Sequence, residues 1–420
     1  MRSIVHAGRR HFLGFAGAAG LLPWHLASGS TSTSGNSARS WTPDPDLLDD
    51  LPRVVAAFAV PGLAIAVVED GTVTWQQGFG VMHVERGTPV QADTLFEAAS
   101  LSKPVFAYLV LQLADAGVVD LDRPLVAYRR PDYLGRHPWL DRITARDVLR
   151  HTTGLPNWRP HPATELLVPQ AEPGTRIDYS GEAFVWLQLV IETLTGQSLD
   201  QTMQARLFGP AGMQDSSYAW SDDLATRSVY GHRAHDAEGD GMPTQMLREQ
   251  WSAAQRIAGR DGTSLSAWTW EDAARALPEV QSSTSPGLVN WPGDILANAA
   301  ASLRTTIRDY ARFVSLVMTR DGHRAPWEIT EATRQMMLTP QSIGATPWSA
   351  KGLGWNVEPA PGGPLFHHSG SNGGIFKTFA VGDAARRRGI VVMTNGGSGQ
   401  YVYRRIVRAA TGHDLLAFDR

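Results

Sequence analysis

Phe96-Glu97-Ala98-Ala99-Ser100-Leu101-Ser102-Lys103 leads into an apolar helix that runs from Pro104 to Ala116 and is closed by Gly117. Serine and lysine three residues apart lie on one helix face, one turn from each other. A serine hydroxyl is a poor nucleophile at its free pKa and needs a base within hydrogen-bonding reach. A lysine serves as that base where burial favours its neutral amine. The stretch after Lys103 (Val105, Phe106, Leu109, Val110, Leu113) is nearly uncharged, and an unpaired ammonium there is costly. The start of a helix adds a favourable field and a backbone donor for an oxyanion. The competing reading is a surface helix that merely contains both residues. The apolar continuation weakens it, and neither of the other two lysines, Lys351 and Lys377, has a serine three residues before it.

Working outward, Asp44 to Ala59 reads as an amphipathic helix, and Leu63–Val68 and Val73–Phe79 read as strands around an Asp70-Gly71 turn. Helical signals dominate from Thr144, where Thr144 and Asp147 make a capping pair. Phe184, Leu187, Ile191 and Leu194 recur at helical spacing before Gly196, and Thr306 and Asp309 open a further helix. Strands return at Leu365–His368, Phe376–Val381 and Ile390–Thr394, followed by a helix over Tyr401–Ala410. This order predicts an α+β fold: an antiparallel sheet built from both chain ends and flanked by helices, with an inserted mainly α-helical lobe. The α/β lobe takes in about 41–125 and 350–420 of the domain 41–420, and the helical lobe about 126–349. Residues 221–300 show no regular pattern and carry Trp251, Trp268, Trp270 and Trp291. They read as an irregular segment, either a substrate wall of indoles or a packed surface subdomain.

Composition removes whole classes of function. The 420 residues hold 38 basic and 41 acidic side chains, a net charge of −3, which argues against a nucleic-acid binder built on a basic surface. The absence of cysteine excludes disulfides, thiolate metal sites and cysteine nucleophiles. No His-Glu-x-x-His string occurs, and His232, His235 and Asp236 fall in a polar stretch read as solvated, so neither a metal nor a cofactor is expected. Residues 1–38 read as an export signal and linker: Arg9-Arg10-His11-Phe12-Leu13 resembles the twin-arginine signal, ahead of the apolar stretch Phe12–Leu22. That stretch is shorter than the ~20 residues of a membrane span. The expected location is periplasmic or secreted, with no stable span after signal removal. Nothing in the sequence sets an oligomeric state.

Two more strings carry chemistry. Pro173-Gly174-Thr175-Arg176-Ile177-Asp178-Tyr179-Ser180-Gly181 is a loop entering the helix that starts at Glu182. Alone, Tyr179 reads as a packed aromatic; beside Lys103 it could pass a proton to a leaving group. Phe366-His367-His368-Ser369-Gly370-Ser371-Asn372-Gly373-Gly374 ends a strand whose glycine allows close approach of a substrate backbone. Strand side chains alternate, so His368 is assigned inward and His367 to a structural or exposed position.

Together these strings resemble the serine β-lactamase and penicillin-recognising superfamily, in particular its class C-like branch of D-alanyl-D-alanine carboxypeptidases, D-aminopeptidases and β-lactamase-fold esterases. His151-Thr152-Thr153-Gly154-Leu155-Pro156, Leu207-Phe208-Gly209-Pro210 and Gly352-Leu353-Gly354-Trp355 follow in matching order, from about residue 50 to 411. The resemblance implies a β-lactamase/transpeptidase-like fold with Ser100 as acylated nucleophile, Lys103 as base partner and Tyr179 as proton shuttle. It implies that His368, Ser369 and Gly370 bind substrate, and that the backbone N–H groups of Ser100 and Ser371 form the oxyanion hole. The implied function is a serine hydrolase acting through an acyl-enzyme on a small-molecule ester, amide or peptide, with β-lactams among the options. The opposing class is a non-catalytic ligand binder or structural subunit. Two departures tilt the reading toward esters and small amides: Gly181 stands where the family often has asparagine, and His368, only partly charged near neutrality, replaces a permanent cation.

Overall fold

The computed structural model describes residues 40–419 apart from 234–242, 245–247, 287–290, 320, 321, 323, 347 and 348; the export-signal reading of residues 1–38 lies outside them. Helix α1 (Pro45–Ala57) starts at Asp44, whose carboxylate caps the Leu47 N–H. Strand β1 (Gly62–Glu69) turns into β2 (Thr72–His83) through Asp70 and Gly71, both at positive φ, the backbone that a tight hairpin with native twist requires. The remaining strands are β3 (Thr88–Pro89), β4 (Leu95–Glu97), β5 (Gly231–His232), β6 (Pro243–Thr244), β7 (Arg304–Thr306), β8 (Ala350–Lys351), β9 (Asn356–Glu358), β10 (Leu365–Asn372), β11 (Phe376–Asp383) and β12 (Arg388–Thr394).

One antiparallel sheet has the order β3-β2-β1-β12-β11-β10-β9-β8. Its first three strands come from the start of the domain and its last five from the end. The two sets join where β1 pairs with β12, Leu63 opposite Thr394. Both faces of β1 are covered, which is why it is apolar at every position from Leu63 to Val68. Leu63, Ile65 and Val67 pack toward α1 and the helix Gly399–Thr411, while Ala64, Ala66 and Val68 face the helices inserted between the strand sets. The α+β sheet expected from the sequence is therefore the observed fold.

The central inserted helix α2 (Ser102–Asp115) is buried all round from Ser102 to Leu113. It begins two residues before the predicted Pro104, and a 3-10 turn at Ala99–Leu101 leads into it. The short helix α3 (Ala145–Leu149) starts with the expected Thr144/Asp147 capping box. Helix α4 (Gly181–Thr195) is capped by Ser180 and ends at Gly196 in the left-handed region, again as expected.

Residues 221–300 are more regular than the irregular segment expected and fit the packed-subdomain alternative. They hold helices α5 (Arg248–Arg260) and α6 (Trp270–Ser282), which share a core of Trp220, Trp251, Ile257, Leu265, Trp268 and Val280. Much of that core is alanine (Ala253, Ala254, Ala258, Ala273, Ala276), so the hydrophobic periodicity is weak in sequence. His232 is buried rather than solvated: its amide donates to the Asn395 carbonyl at 2.8 Å, and its Nε2 accepts from the Val84 N–H at 3.3 Å. His235 and Asp236 fall outside the described residues. No helix among the described residues is long and apolar enough to cross a membrane.

Candidate active site

Ser100 stands on a clamped turn. Ala99 before it has a φ of 52°, uncommon for a residue with a side chain and the mark of a local constraint. The surroundings supply that constraint. The Ala98 N–H donates to the Leu303 carbonyl at 2.9 Å, the Thr378 hydroxyl donates to the Ala98 carbonyl at 2.8 Å, and the Tyr310 hydroxyl donates to the Leu101 carbonyl at 2.9 Å. The Ser102 hydroxyl donates to the Ala99 carbonyl and accepts from the Leu303 N–H at 3.1 Å. Strand β10 presses on this turn at Gly370, where a Cβ would collide with the Ala98 carbonyl and Thr378. Glycine is thus required by space at that point.

Lys103 is 1% exposed. Its Nζ lies 3.2 Å from Ser100 Oγ, donates to the Ala300 carbonyl at 2.8 Å, and sits 4.7 Å from the centre of the Tyr179 ring. Among the described residues no carboxylate pairs with it, and burial alone drops its pKa to about 7. A large share of the amine is therefore neutral at physiological pH and able to take a proton.

Tyr179 is delivered by the segment before α4. That segment is stitched to residues 151–157: the Asp178 N–H donates to the His151 carbonyl at 2.8 Å, and the Ser180 hydroxyl to the Pro156 carbonyl at 2.7 Å. Its hydroxyl is within hydrogen-bonding range of Ser100, and burial raises its pKa well above that of a free phenol, so it stays protonated. His151 stacks beneath the ring at 4.4 Å between centroids. Its Nδ1 accepts from the Ser180 N–H at 3.3 Å, and burial holds its pKa far below the usual value. Sequence reasoning quoted His151 without giving it this supporting place.

Ser100, Tyr179, His368, Ser369, Gly370 and Ser371 all line one cavity of about 1180 Å³. Strand β9 pairs with β10 only at Leu365–His367, which leaves the β10 edge beyond His367 uncovered. His368 is inward and buried as expected, its ring 6.2 Å from that of Tyr179. The expectation of partial charge needs correction. Burial, then the nearby Lys103 and Lys351, push its pKa well below the ordinary histidine value, so it is neutral at pH 7. Its Nδ1 is 2.7 Å from the Ser369 carbonyl, which can only accept, so that nitrogen carries the hydrogen. His367, on the other face, is also buried, stacked on Phe379 and 3.6 Å from Glu358.

The cations of this cavity come from elsewhere. Lys351, Lys377 and Arg176 line it, and the third lysine of the chain, Lys103, lies behind Ser100. Lys377 Nζ donates to the Ser371 hydroxyl at 2.9 Å, while Lys351 bonds Asn356. The scarcity of lysine was the one sequence signal that could have marked them. Gly181 also gains a reason: a side chain there would overlap the benzo ring of Trp158. Its N–H donates to Asn157 Oδ1 at 2.9 Å, and Asn157 lines the cavity in place of an asparagine at 181.

The Beta-lactamase family profile matches residues 51–412, most of the chain and all of this site. The chain belongs to the beta-lactamase family. Penicillin-binding protein 4 of Amycolatopsis lactamdurans is 27% identical over 84% of this chain and 85% of its own length. The unguisins hydrolase of Aspergillus campestris is 26% identical over 80% of this chain, which spans 59% of that protein's length. The solved D-alanine carboxypeptidase AmpC of Burkholderia cenocepacia superposes with a TM-score of 0.63 at 23% identity, over 87% of this chain and 99% of that one. That likeness shows the same fold.

Proposed function

We propose that this family member is a serine hydrolase that cleaves a small ester, amide or peptide, including D-amino acid amides, through an acyl-enzyme on Ser100. One observation carries the reading: a buried lysine amine, 3.2 Å from the Ser100 hydroxyl, whose pKa is lowered to about 7 with no carboxylate among the described residues to hold its proton. Lys103 takes the Ser100 proton as the oxygen attacks the carbonyl carbon. The Ser100 and Ser371 N–H groups receive the developing oxyanion. Tyr179 cannot be the base, because burial keeps it a phenol. It relays the proton from Lys103 to the leaving group, and water then releases the acid. The neutral His368 offers a substrate carboxylate no charge, so any carboxylate would have to reach Lys351, Lys377 or Arg176 instead, which favours esters and small amides over substrates held by a dedicated cation at position 368.

A panel of nitrophenyl esters, D-amino acid amides, D-alanyl-D-alanine peptides and a chromogenic cephalosporin tests the reading, with Ser100→Ala as control. Turnover of esters or small amides that vanishes in the variant is the expected result; equal rates in the variant refute it. A twin-arginine export route completes the proposal, on the strength of Arg9-Arg10. Replacing both arginines by lysine should leave the protein in the cytoplasmic fraction of a bacterial host, and unchanged export would count against it.

A further inference from the structure

A second, smaller cavity of about 260 Å³ adjoins the first. The two share a partition: Asn157 and Ser371 line the larger one, and the residues that follow them, Trp158 and Asn372, line the smaller. The indoles of Trp158, Trp251 and Trp291, with Leu296, make its apolar walls. Trp158 is 41% exposed, a large apolar surface left uncovered beside the reaction centre. It stands where any side chain at position 181 would stand, so Gly181 is what admits the indole.

The walls are packed in place, and their charged side chains are Arg159, Glu182 and Asp294. Trp251 donates its indole N–H to the Asp294 carbonyl at 3.2 Å and is covered by the Arg304 guanidinium, 3.9 Å from its ring. Trp291 packs on Trp270 at 5.3 Å between centroids. Arg159 reaches the cavity but is bound to Glu182 at 2.8 Å, with both side chains buried, so the pair is neutral overall. The three indoles and Leu296 favour a neutral ring or branched chain. The volume lies just below the about 300–1,000 Å³ that suit drug-sized ligands, which fits one ring rather than a long lipid tail.

We infer that this cavity is the acyl pocket and that it selects substrates whose acyl group carries an aromatic or branched apolar substituent next to the scissile carbonyl. The inference rests on the proposed acylation of Ser100. The part of the substrate that stays covalently attached needs a fixed, preformed seat. The leaving group departs through the larger cavity, past Lys351 and Lys377.

The test uses nitrophenyl esters with one leaving group and varied acyl groups: acetate, isobutyrate, phenylacetate and octanoate. In the wild type, kcat/KM for phenylacetate should exceed that for acetate by about 10- to 100-fold, the discrimination that apolar pockets provide, and octanoate should fall below phenylacetate. Trp158→Ala and Gly181→Asn, the second of which displaces the indole, should each bring the phenylacetate-to-acetate ratio close to one. Thermal unfolding and labelling of Ser100 by a small fluorophosphonate report that each variant is folded. A wild-type ratio near one, or a ratio unmoved in folded, labelled variants, overturns the acyl pocket while leaving the hydrolase intact. Absence of both turnover and labelling in the wild type overturns the hydrolase itself, and the pocket with it.

Discussion

The Lys103 amine rests 4.7 Å above the centre of the Tyr179 ring, and the Tyr179 ring rests in turn on the imidazole of His151. The stack shields the amine from water and gives it no carboxylate, the combination that lowers a lysine pKa. Deprotonation near pH 7 then switches the site on. We expect kcat/KM for an uncharged ester to rise with pH through an inflection near 7, because only the neutral amine accepts the serine proton. His151 and His368 are held too low to contribute there. Glu192, raised by burial to about 7, lies behind Gln188, which braces Ala297 and Ala299 next to the Lys103 acceptor. An inflection that persists in Glu192→Gln assigns it to Lys103, and one that disappears moves it to the glutamate. Between about 7 and 10.5 the unfolded chain keeps a proton on Lys103 that the folded chain has released. Stability from this group therefore grows with pH across that window. Urea unfolding of wild type against Lys103→Met at pH 7 and pH 9 reads the difference.

Removing the Tyr179 hydroxyl should affect substrates unequally. An amide leaving group needs a proton and a nitrophenolate does not, so Tyr179→Phe should cost amide hydrolysis about 10²- to 10⁴-fold, the range of general acid catalysis. Activated esters should lose much less. Steady-state rates on a matched ester and amide pair give the comparison, and equal losses would assign Tyr179 a purely structural place.

Gly370 offers a test of geometry. Valine there collides with the Ala98 carbonyl and Thr378, both part of the turn that presents Ser100. We expect a loss of about 1–3 kcal/mol of stability from overpacking. The strand should also shift away from Ser100, with a fall in kcat of at least about 10²-fold, comparable to loss of an oxyanion donor. Thermal unfolding and ester turnover measure the two effects, and a valine variant with normal kcat would show that the close approach is dispensable.

Local chemistry made much of this molecule legible in its sequence. The Ser100/Lys103 spacing, the Asp70-Gly71 turn, the Thr144/Asp147 cap and the Gly196 stop each act within a few residues, and each lies where that local rule puts it. What stayed hidden depends on contacts between distant segments. The charge on His368 is set first by burial and then by Lys103 and Lys351, which the fold brings to it. Gly181 looked like a missing asparagine until Trp158 was seen to occupy its space. Helices α5 and α6 escaped notice because an alanine-rich face gives little hydrophobic contrast.

Intact-mass measurement after brief incubation with a fluorophosphonate, followed by peptide mapping, bears most directly on the whole scheme. One adduct per chain, located on Ser100, faster to form at pH 8 than at pH 6 and lost in both Ser100→Ala and Lys103→Met, is the expected outcome. An unmodified chain, or an adduct on another residue, would contradict it.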